Sequence, residues 1–188
     1  SAFACSTIMI GWLGAVPLAA HQIALTCASL TFMVPLGLSM ATGMRVSHAV
    51  GAGELARRRP IAFSALGLGT MLMAAFGLVF FFFGGAIAAW FVHDAAVIPL
   101  AAQLLVVAAL FQLFDGAQVI GASSLRGITD VKVPALITFA AYWLVALPLG
   151  YFLGVRGAFG AVGIWAGIAT GLACAALLLT ARFARLTR

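Results

Sequence analysis

Long apolar stretches separated by short polar connections set the pattern of this chain. A helix needs about 20 mostly apolar residues to cross a hydrocarbon core about 30 Å thick. Five runs meet that need, near residues 18–45, 61–83, 97–122, 133–153 and 158–181. The run at 1–14 precedes them and, as a helix, would reach only about 21 Å. It reads as a partial helix whose remainder is expected upstream of Ser1. The chain also starts without an initiator Met, and this first run lacks the basic flank and cleavage site of a signal peptide. Residues 182–188 form a polar tail. The expected fold is all-α, a polytopic transmembrane helix bundle.

The connections carry an orientation signal, because Lys and Arg concentrate in cytoplasmic loops. Arg45 and Arg57 to Arg59 follow the second segment, Arg126 and Lys132 the fourth, and Arg182, Arg185 and Arg188 the sixth. Only Arg156 falls on the other side. The alternation supports one partial and five full spans with a cytoplasmic C-terminus. Gly84 to His93, with Trp90 and Phe91 ahead of His93-Asp94, suits either a short interfacial helix or a continuation of the third helix. Pro35 and Pro148 are expected to bend their helices. Gly163, Gly167 and Gly171 recur every fourth residue and offer a smooth face, for packing inside the bundle or for a dimer.

Composition excludes a soluble domain: 65% of residues are hydrophobic and 7% charged, against about 25% charged in soluble proteins. The net charge of +6 comes from short clusters between apolar runs with no interleaved aromatics, so it suits anionic lipid headgroups and not nucleic acid. Arg57 to Arg59 read as a lipid-facing topogenic cluster. Cys5, Cys27 and Cys174 lack disulfide or metal spacing and read as small core residues. No cofactor motif is present. Trp12 and Trp90 fit an outer aromatic belt, and Phe80 to Phe83 read as a lipid-facing helix end.

Asp115 is the one acidic residue deep within a span. Placing its charge there costs about 2.5–3.5 kcal/mol on insertion scales, and a neutral Asn would make structural hydrogen bonds more cheaply. Gln112, Asp115 and Gln118 share one side of their helix, which is expected to face a cavity. Gln22, Thr26 and Ser29 form an i, i+4, i+7 set on the second helix. Asp115 is thus expected to exchange a proton, a sodium ion or a cationic substrate. His21 reads as a tether for a loop, with proton transfer as the alternative.

Leu18-Ala-Ala-His-Gln-Ile-Ala-Leu25 followed by Phe32-Met-Val-Pro-Leu-Gly-Leu-Ser39 resembles the eighth helix of multidrug and toxic compound extrusion (MATE) transporters. Arg45-Val46 with Gly51-Ala-Gly53 resembles the loop after it. Phe111 to Asp115 with Gln118 and Ser124-Leu-Arg-Gly127 resembles the tenth helix, and Tyr142-Trp143 with Leu147-Pro-Leu-Gly150 the eleventh. The likeness spans essentially the whole chain in order.

The resemblance implies a twelve-helix antiporter of two six-helix lobes, of which this chain would be the C-terminal lobe, its partner the missing N-terminal lobe. Members exchange Na+ or H+ for organic cations and drugs, and Asp115 matches the Asp of the tenth helix that helps form the cation site in some of them. Two features depart from the pattern. The acidic residue often found in the seventh helix would fall before Ser1, and a Tyr one turn before the Asp is replaced by Phe111. A lipid-linked oligosaccharide flippase of the same superfamily is the nearest alternative, though no Arg or Lys lies within a span to meet a pyrophosphate. A non-transporting assembly subunit is another. An aspartyl hydrolase would need a second carboxylate, and a Ser/His hydrolase would need to join His21 to Ser123 or Ser124.

Overall fold

The computed structural model describes residues 2–188. In chain order the helices are α1 (Ala2–Gly11), α2 (Ala15–Gly51), α3 (Arg58–Phe91), α4 (Val97–Gly127), α5 (Lys132–Arg156) and α6 (Gly160–Leu186). The last five are long and apolar enough to cross a membrane. A single 3-10 turn, Leu55–Arg57, leads into α3. The short helix α1 is separated from α2 by a break at Gly14, whose φ of 120° lies in the region that favours glycine.

Each of α2 to α6 runs beyond its apolar run at one end or both, because hydrophobicity marks only the part in hydrocarbon while hydrogen bonding continues into the interface. At 34 residues, α3 is about 51 Å long. It carries Gly84 to Phe91 as its own last turns, so this segment is a continuation of the third helix. Trp90 there is 86% exposed. The aromatic run at its end divides: Phe81, Phe82 and Phe83 are exposed, but Phe80 is buried in the core. The lipid-facing reading is corrected at that position, since four consecutive residues circle a helix and one must meet the neighbour. The cysteines divide likewise. Cys27 is buried, whereas Cys5 and Cys174 are only half-buried.

Helix α4 is the hub, packing against α2, α3 and α6. Gly116 makes room there: a Cβ on it would lie 2.9 Å from Met73 Cγ and 3.4 Å from Pro35 Cβ. Pro35 itself is buried within the continuous α2. Pro148 follows a stretch of π-helix, Ala141–Ala146, and precedes another, Tyr151–Arg156. This wider winding accompanies a proline that cannot donate to the preceding turn.

The glycine stripe of α6 packs inside the bundle, against α5. A Cβ on Gly163 would sit 2.7 Å from the Leu153 carbonyl carbon, and one on Gly171 would sit 2.7 Å from the Ala141 oxygen. One on Gly167 would collide with the backbone of Gly150. The two helices therefore meet backbone to backbone, as small residues permit in membranes.

At the basic end, Arg182 of α6 donates from Nε to Asp130 Oδ2 at 2.6 Å, tying α6 to the α4–α5 turn. Both side chains are partly shielded from solvent. Arg182→Ala is expected to cost about 1 kcal/mol, read as a fall of about 2–4 °C in the melting temperature of detergent-solubilised protein.

Candidate functional site

Asp115 sits near the middle of α4, half-buried, on the wall of a cavity of ≈ 490 Å³. Alongside it α4 contributes Phe111, one turn earlier, together with Gln118 and Val119. Helix α2 supplies an apolar wall of Leu25, Ala28, Phe32 and Met33, broken by Ser29. The phenol of Tyr142 enters from α5, and Phe3 closes the side nearest α1. Phe3 meets Phe111 edge to face at 6.2 Å between ring centroids and lies 6.1 Å from Tyr142.

Four groups give this apolar chamber its polarity: the Asp115 carboxylate, the Ser29 and Tyr142 hydroxyls and the Gln118 amide. Among the described residues no cluster of three or more His, Cys, Asp or Glu could hold a metal. A cation at Asp115 would therefore meet one formal charge and neutral oxygens. Such a site suits an ion or organic cation that must leave again. A carboxylate withdrawn from water is stable only with a proton or cation to compensate it.

Four of the seven residues expected at this site come together: Asp115, Gln118, Phe111 and Ser29. The other three do not line the cavity. Gln112 is 2% exposed and turns away, its Oε1 accepting a hydrogen bond from the Thr31 hydroxyl at 2.9 Å. Spacing three moves a residue about 60° around the helix, enough to put Gln112 between α4 and α2. Its Nε2 is buried and has no hydrogen-bond partner among the described residues. Gln22 and Thr26 share an exposed face of α2 with Ser29 but lie up to about 10 Å further along the axis. The Thr26 hydroxyl donates to the Gln22 carbonyl at 2.8 Å.

His21 is fully buried and tethers helices, not a loop. Its Nδ1 accepts from Trp165 Nε1 on α6 at 3.1 Å, and its Nε2 lies 3.0 Å from the Thr7 hydroxyl on α1. Both ring nitrogens are thus engaged away from Ser123 and Ser124. The Ser124 hydroxyl donates instead to the Ile120 carbonyl of its own helix.

Sequence reasoning did not assign Phe3 or Tyr142 to the cavity. For Tyr142 a signal exists, a polar-tipped aromatic near the middle of an apolar span. Phe3 carries none, because only the fold of α1 against the bundle brings it here.

The MatE family model matches residues 1–152. The chain is 43% identical over 186 residues to "Multidrug resistance protein NorM" of Burkholderia vietnamiensis, covering 96% of this chain and 40% of that relative. It is 45% identical to "Probable multidrug resistance protein NorM" of Pseudomonas putida, again over 96% of this chain and 40% of the relative. The chain thus spans about two fifths of the length of the curated relatives it matches. In structure it is similar to the eukaryotic MATE transporter AtDTX14, with a TM-score of 0.88 at 22% identity, covering 100% of this chain and 44% of that one. The Vibrio cholerae MATE transporter VcmN in its bent form gives a TM-score of 0.88 at 18% identity, covering 99% and 43%. These structures share the fold, and together with the sequence matches they lead to one conclusion: this multi-pass membrane chain belongs to the MatE family.

Proposed function

We propose that this chain is the C-terminal lobe of a two-lobed antiporter that exports organic cations in exchange for Na+ or H+, with Asp115 as its exchange site. The observation that carries the reading is a single carboxylate near the middle of the long apolar helix α4, on the wall of an apolar cavity. Aromatic and thioether groups of Phe3, Phe32 and Met33 suit a flat, hydrophobic cation. The positive-inside pattern supports a cytoplasmic basic end, and the bacterial relatives support an inner-membrane location.

Support for a second lobe comes from α2. Gln22, Thr26 and Ser29 are exposed along one face, and polar groups within an apolar span belong against protein or a water-filled cavity and not against lipid. In the proposed cycle, an ion or proton on Asp115 and the substrate compete for the same charge. Each loading state favours one of two lobe arrangements by its differential affinity. Inverting a 99:1 preference takes about 5.5 kcal/mol, on the scale of charging and neutralising one carboxylate out of water. The flippase reading gains nothing here, since neither Arg nor Lys lines the cavity.

Ethidium binding to the purified full-length protein, followed by fluorescence anisotropy, tests the shared site. Sodium or acid is expected to displace ethidium competitively from the parent protein, and Asp115→Asn is expected to weaken ethidium binding and leave the remainder insensitive to either ion. Ethidium binding that neither ion affects would contradict an exchange site.

A further inference from the structure

The environment of His21 forms a closed ring of contacts around the cavity wall. Indole N–H groups only donate, so Trp165 fixes Nδ1 of His21 as an acceptor at 3.1 Å. The Thr7 hydroxyl donates its one proton to the Phe3 carbonyl at 3.0 Å. Its oxygen therefore accepts a hydrogen bond from His21 Nε2 at 3.0 Å. Donors and acceptors thus select one neutral tautomer, with the proton on Nε2. A second proton, on Nδ1, would point at the indole N–H.

The ring then closes through aromatic contacts. Trp165 meets His21 edge to face at 5.8 Å and Phe111 at 5.6 Å. Phe111 in turn meets Phe3 at 6.2 Å. Thr7 and Phe3 belong to α1, His21 to α2, Phe111 to α4 and Trp165 to α6, so four helices are locked together. Two members of the ring, Phe3 and Phe111, are walls of the Asp115 cavity. His21 and Trp165 are each no more than 1% exposed, which leaves water no access to replace these bonds.

We propose that His21 is a positioning residue for the cation cavity: it holds α1 through Thr7 and α6 through Trp165, and so fixes Phe3 and Phe111 beside Asp115. It acts as a neutral bridge and carries no transported proton. From the transport reading this takes only that the Asp115 cavity is the working site.

The test reads cavity access without transport. Dicyclohexylcarbodiimide, an apolar carboxyl reagent, is applied to membranes containing the two-lobed protein, and Asp115 modification is followed by peptide mass spectrometry. His21→Ala is expected to change the labelling rate roughly tenfold, the scale of losing one to two hydrogen bonds. His21→Gln is expected to restore it to within about twofold, because its amide oxygen can accept from Trp165 while its N–H donates to Thr7. Should His21→Ala fail to insert, Trp165→Phe carries the test: it keeps an aromatic ring against Phe111, deletes only the donor, and is expected to change the labelling rate severalfold from that of the parent. Labelling at the parent rate in His21→Ala, or in Trp165→Phe where Ala fails, would overturn the proposal. So would a His21→Gln protein that inserts normally yet behaves like His21→Ala. A protein that fails to export ethidium while its labelling follows the expected order would count against the transport reading alone.

Discussion

Asp115→Asn is expected to insert and fold as well as the parent sequence while losing coupled efflux by about a hundredfold or more. The two halves of this expectation have separate physical origins. Within a span, the charged carboxylate costs about 2.5–3.5 kcal/mol, so an isosteric amide removes a burden and its melting temperature is expected to hold or rise. Transport needs the opposite property, a group that gains or loses charge as its ligand changes. Removing one partner of a desolvated charge pair costs about 3–5 kcal/mol, or roughly two to three and a half powers of ten in occupancy. Asp115→Glu keeps the charge but moves it by one methylene within a cavity shaped by Phe111 and Tyr142, so partial efflux with an altered substrate range is expected. Efflux rates in vesicles, set beside melting temperatures in detergent, separate these effects.

A second large effect is expected at the α5–α6 contact, where Gly167→Val should yield little folded protein. The obstacle is backbone: a Cβ at this position would meet Gly150, with the Ala146 oxygen 2.9 Å away. A side-chain neighbour could rotate aside, but here two helices would have to separate along the contact that joins α5 to the bundle. Overpacking costs about 1–3 kcal/mol where the surroundings can adjust, and this site has less freedom than most. Gly67→Val is the matched control, since nothing lies within 4 Å of a Cβ at Gly67. Monodisperse elution and an unchanged melting temperature are expected for the control, with aggregation for Gly167→Val. Equal behaviour of the two would mean that α5 and α6 do not pack as described.

The helices were legible in the chain because membrane crossing imposes a length and a composition that no other constraint imitates. Their ends were not, since α2 spans Ala15–Gly51 around an apolar run at 18–45. Interfacial turns keep their hydrogen bonds without needing apolar side chains. That Asp115 lines a cavity was legible for a similar reason, because its charge carries an energetic cost that demands compensation.

Its surroundings were only partly so. Helical spacing gave a face but no depth, which joined Gln22 and Thr26 to Ser29 although the cavity reaches only Ser29. Spacing also joined Gln112 to Asp115, yet a rotation of about 60° was enough to place its amide against Thr31. Phe3 and Tyr142 depend on contacts between helices distant in sequence, and neither pattern nor spacing along one helix reports those. His21 stood out as a polar residue near the end of a span, but its role followed only once Trp165, 144 positions later, was found to donate to it.

The most direct test of the proposed exchange site is ethidium efflux from membrane vesicles containing the full-length protein, parent against Asp115→Asn, with a sodium gradient and a proton gradient imposed separately. The account predicts that at least one gradient drives efflux and that Asp115→Asn abolishes the driven component at normal insertion. Efflux at the parent rate in Asp115→Asn, or no response to either gradient in well-inserted parent protein, would contradict it.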